Sequence, residues 1–66
     1  MIQVIADNST DLAVMVDGKA VATFALMNGH IRICKRVGKS WKKEGVLGKT
    51  MKEVRELAYA YAAFSA

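Results

Sequence analysis

The chain has 66 residues, of which 53% are hydrophobic, with no proline, one cysteine and a net charge of +4. A domain of this size sits near the lower limit at which one apolar core offsets chain entropy, and its hydrophobic content excludes a disordered polyelectrolyte. No apolar run reaches the roughly 18 residues that cross a bilayer, and Met1 to Asp7 lacks the basic start and cleavage site of a secretory leader. The sequence therefore predicts a cytoplasmic protein without membrane contact.

In chain order, Ile2 to Ala6 and Leu12 to Val16 read as strands joined by the polar stretch Asp7 to Asp11. Asp17-Gly18 and Asn28-Gly29 are hairpin signals, because a type I′ turn needs positive φ at both central residues and glycine adopts it without steric penalty. Gly38-Lys39 marks a third turn, and Lys19 to Leu26, His30 to Val37 and Ser40 to Leu47 have strand character around these turns. Tight turns imply antiparallel neighbours in chain order. The period changes at Thr50. Thr50-Met51-Lys52-Glu53 fits a capping box, in which the threonine hydroxyl accepts from the Glu53 amide and the glutamate accepts from the Thr50 amide. Beyond it Val54, Leu57, Ala58, Tyr61 and Phe64 form one apolar stripe, with Lys52, Arg55, Glu56 and Tyr59 on the other side. The predicted fold class is α+β: residues 1–66 as one domain, an antiparallel β-meander of four to five strands packed against one C-terminal α-helix.

Leu12 to Val16 and Ala20 to Leu26 do not alternate apolar with polar, and strands apolar on both sides are usually buried on both sides. One helix covers one face. Met15, Ala22, Phe24 or their neighbours are therefore expected to need a second cover, from a homodimer mate or a host protein. A sheet curled over itself, or alanines too small to make a deep patch, would remove that need.

Charge is segregated along the chain. Residues before Arg32 carry Asp7, Asp11, Asp17 and Lys19, whereas Arg32 to Lys52 concentrates lysine and arginine against the single acid Glu44. Alternation on the fourth strand puts His30, Arg32, Cys34 and Arg36 on one side, with the two guanidinium groups about 13 Å apart, comparable to two phosphate steps of an extended strand. The next strand adds Trp41, Lys42 and Lys43. Basic side chains displace counterions from phosphates and an exposed ring stacks on a base, so the candidate nucleic-acid contacts are Arg32, Arg36, Lys39, Trp41, Lys42 and Lys43. A solubilising charged surface is the plainer alternative. Trp41 is expected in the core, since small domains use their largest side chain for burial; exposed, it would be a stacking platform. Tyr59, beside Arg55, is a second candidate contact.

Cys34 and His30 are each the only residue of their type, too few to build a zinc site or an internal disulfide. No nucleophile with its base, no glycine-rich phosphate loop and no spaced carboxylate pair is present, and Asp7 and Asp11 read as turn caps. The sequence predicts a non-enzyme without metal or cofactor.

The order Ile31-Arg32-Ile33-Cys34-Lys35-Arg36-Val37-Gly38-Lys39-Ser40-Trp41, then Val46-Leu47-Gly48-Lys49-Thr50, then Glu53 and Ala58 to Phe64, resembles the sheet-plus-helix domains of plant ethylene-response factors and the arm-binding domains of tyrosine integrases. Those domains lay a three-stranded sheet into the DNA major groove with an alanine-rich helix behind it. The resemblance implies Arg32, Arg36, Trp41 and Lys43 as the DNA-facing positions. The same stretch resembles the single-strand-binding transcriptional coactivator family, whose meander and C-terminal helix dimerise around unpaired strands. The arginine–tryptophan spacings of the first group and the glycine-isoleucine-serine run of the second are absent. The sequence reading is thus a DNA-binding protein of phage or bacterial accessory type. Its alternative is a phage-encoded inhibitor, of the anti-CRISPR kind, which occupies a host nucleic-acid enzyme or defence complex by protein contact.

Overall fold

Turn chemistry sets the topology. The computed structural model describes residues 1–65, with five strands, β1 (Ile2–Ala6), β2 (Asp11–Val16), β3 (Lys19–Met27), β4 (His30–Val37) and β5 (Ser40–Leu47), followed by one helix, α1 (Met51–Ser65). The strands form a single sheet in the order β1-β2-β3-β4-β5, every neighbouring pair antiparallel, which is the predicted meander and α+β class. Among the described residues no helix is long and apolar enough to cross a membrane.

The three tight turns are not alike. Asp17 and Gly18 both hold positive φ, 51° and 80°, the type I′ pattern. At Asn28-Gly29 only the glycine is left-handed, at 76°, so the expected type I′ turn is not formed there; one left-handed residue suffices to reverse the chain, and glycine takes it. Gly38, at 61°, supplies positive φ at the first central position alone, as in a type II′ turn. The longer β1–β2 connection is organised by Asn8, whose Oδ1 accepts from the amides of Thr10 (2.9 Å) and Asp11 (3.0 Å).

The helix start departs from the predicted box by one residue. Thr50 Oγ1 accepts from the Glu53 amide at 3.4 Å, but Glu53 Oε2 accepts from the Lys49 amide at 3.0 Å instead of that of Thr50. The chain passes close under the helix at Gly48, where a Cβ would overlap Ile31 and Glu53 Oε2, so it enters α1 one residue early relative to the carboxylate.

The core lies between α1 and one sheet face. Leu12 and Val14 of β2, Phe24 of β3 and Ile31 and Ile33 of β4 meet Val54 and Ala58 of the helix. Tyr61 packs edge-on against Phe24, ring centroids 6.0 Å apart. Burying a side chain such as Phe24 stabilises a fold by about 1.5–3 kcal/mol, a large share of what so small a domain retains. α1 packs chiefly on β1, β2 and β3 and also covers Ile31 and Ile33 of β4, so β5 projects beyond it.

Two expectations about apolar surface are corrected by this arrangement. Ala22 and Phe24 lie beneath the helix and are fully covered, so neither asks for a partner. The reason is register: Val21 is an extra residue at a bulge opposite Val14 and Met15, which breaks the alternation of β3 and makes its run look apolar on both sides. On the face away from α1, Ala13 sits between Ile5 and Thr23, and Ala25 between Asp11 and Arg32. Both alanines are buried by these larger neighbours, which leaves Met15 half-buried on a shallow face. The second correction concerns Phe64, assigned to the core stripe but 93% exposed. It lies past the last core contact, on the flank of α1 that faces β4 and β5.

Candidate nucleic-acid interface

Cross-strand register decides which charges meet. In β4 and β5 the directly opposed pairs are Arg32 with Gly45, Cys34 with Lys43, and Arg36 with Trp41. Directly opposed residues share a face, and these point away from α1, because Ile31 and Ile33, of the alternate set, are buried beneath it. Arg32, Arg36, Lys43 and Trp41 therefore form one surface on the outer side of the sheet. His30, exposed, and Cys34, half-buried, belong to the same row.

Trp41 is 50% exposed on this surface, which overturns its expected place in the core. Position accounts for the result: β5 extends beyond the helix, and Trp41 falls on the far face of it, so no core was within reach. The indole stands directly across from Arg36, whose Nε donates to the Gly38 carbonyl at 3.3 Å and so leans toward the β4–β5 turn. Lys39 sits in that turn, exposed, at the end of the same ladder.

Lys42 does not join them. It pairs with Lys35 across the strands on the helix side, where Glu44 makes ion pairs with both, at 3.2 Å to Lys35 and 3.9 Å to Lys42. The only acid of the basic segment is thereby spent on the opposite face. Among the described residues, Arg32, Arg36 and Lys43 have no carboxylate within ion-pairing distance. Such cations keep their full charge for a polyanion, because no internal partner must be displaced. Tyr59, the second candidate contact, is exposed on α1, across the sheet from this surface.

The face-sorting could be anticipated in part from alternation along β4, but not for β5. Trp41, Lys42 and Lys43 are consecutive, so two of them must share a face and the third must not; only pairing with β4 says which. The set brought together is Arg32, Arg36, Trp41 and Lys43. Comparison with protein-family models, with curated proteins and with solved structures finds no match to this chain.

Proposed function

We propose that the protein binds nucleic acid through the outer face of β4 and β5. The observation that carries this reading is the sorting of charge in the sheet: Arg32, Arg36 and Lys43 share a face with a half-exposed tryptophan, while Glu44 lies on the other. The guanidinium groups contact phosphates, Lys43 and Lys39 extend the positive track, and Trp41 supplies a flat apolar ring for a base or sugar. Backbone contacts of this kind give affinity without sequence preference.

Titration of labelled single- and double-stranded oligonucleotides at increasing salt tests the proposal. Binding should weaken steeply with salt for any sequence, and the Arg32→Ala/Arg36→Ala variant should bind more weakly with a shallower salt dependence. No binding by the wild-type chain at low salt refutes it. In that case the inhibitor reading takes its place, tested by capture of one host protein in a salt-tolerant complex.

A further inference from the structure

The outer face of β4 and β5 is built from cross-strand rows: His30 with Leu47, Arg32 with Gly45, Cys34 with Lys43, and Arg36 with Trp41. Successive rows are about 6.7 Å apart, so the first and the last are separated by about 20 Å. Each end row carries a flat ring, and each middle row carries a cation. The exposed imidazole of His30 is held by its Nδ1, which donates to the Asn28 carbonyl at 3.3 Å, with Leu47, 92% exposed, across from it. At the other end stands the half-exposed indole of Trp41, with Arg36 beside it as a third cation. Between the rings a Cβ at Gly45 would meet nothing within 4 Å, so the surface next to Arg32 is open.

We infer that the ligand of this face is an unpaired strand of about four nucleotides, its end bases stacked on His30 and Trp41 and its phosphates over Arg32 and Lys43. The inference rests on the nucleic-acid reading above and names the class of nucleic acid. Two observations favour a single strand over a duplex. The first is that the charge forms one line. On the same face β3 offers Thr23, Ala25 and Met27, none of them charged, and β2 brings the carboxylate of Asp11 opposite Ala25, in line with Arg32. A duplex presents two phosphate rows, about 12 Å apart across the major groove. With one row on β4 and β5, the other falls over β2, about 10 Å from β4, against Asp11, or beyond the free edge of β5. The second observation is the pair of rings at the ends of that line. A base offers its flat face to a side chain only when it is out of the stack. The row spacing, about twice the 3.4 Å step of a strand in B-DNA, suits such an unstacked chain.

Fluorescence anisotropy at low salt, with oligothymidylates of two to eight nucleotides and with a duplex, tests this. The single strand should bind about tenfold or more tighter than a duplex of equal length, with affinity rising steeply up to about four nucleotides and slowly thereafter. Trp41 is the only tryptophan, so its own fluorescence should be quenched as the single strand saturates. His30→Ala and Trp41→Ala should each weaken single-strand binding by about tenfold, and Trp41→Phe should keep most of it. The salt slope of Trp41→Ala should match the wild type, because the cations that set it remain. Duplex binding as tight as single-strand binding, or Trp41 fluorescence unchanged at saturation, overturns the inference and leaves the broader nucleic-acid reading standing. Failure to bind either form overturns both.

Discussion

Lys42 and Lys43 are adjacent in sequence and on opposite faces of the sheet, so replacing each by alanine separates a surface-specific contact from a simple effect of net charge. Four cations belong to the outer surface or its end, Arg32, Arg36, Lys39 and Lys43. If each neutralises one phosphate, the slope of log affinity against log salt is about −2.8 on a single strand and about −3.6 on a duplex. Raising salt from about 50 mM to about 200 mM then lowers single-strand affinity roughly 50-fold. Lys43→Ala removes one contact, giving a slope of about −2.1 and a fall of roughly 20-fold over the same range. Lys42→Ala removes the same charge from the far side, where Glu44 already holds it, and should leave the slope unchanged. Fluorescence anisotropy with a labelled oligonucleotide at five or six salt concentrations measures all three slopes. Equal losses of slope from the two substitutions would refute the assignment of a binding face, since affinity would then follow total charge and not its placement.

Two predictions concern stability. Gly48→Ala forces a methyl group against the buried Ile31 and the Glu53 carboxylate that caps the helix; it should cost about 1–3 kcal/mol in urea denaturation, and a neutral result would show that the helix entry relaxes freely. Trp41→Ala should cost under about 1 kcal/mol, because the ring lies outside the core, whereas a buried tryptophan would cost about 3–5 kcal/mol. Thermal melting followed by circular dichroism distinguishes the two, and the larger loss would contradict the exposed position.

The fold was legible because each element carries its own local signal. Asp17-Gly18 needs no tertiary partner to favour a left-handed pair, and Thr50 with Glu53 marks a helix start whatever lies beneath it. Local signals were weaker where a neighbour completes the geometry. The helix cap shifted by one residue because Gly48 lets the chain pass close under Glu53, a contact between segments that no four-residue motif contains. Phe64 has the right spacing for the core stripe, but spacing does not say where the sheet ends.

The candidate site divides in the same way. Residue order alone set the succession of strands and the helix, the concentration of charge after Ile31, and the alternation that sets Arg32 and Arg36 on one side of β4. These follow from residue type and from the two-residue period of a strand, which are properties of the chain alone. Packing in three dimensions leaves Trp41 exposed, parts Lys42 from Lys43, lays Ala22 and Phe24 under the helix, and draws the ion pairs of Glu44 away from the outer face. Each of those depends on cross-strand register and on which strands α1 reaches. A bulge at Val21 and a helix that stops short of β5 are enough to reassign them, and neither is written in any single segment.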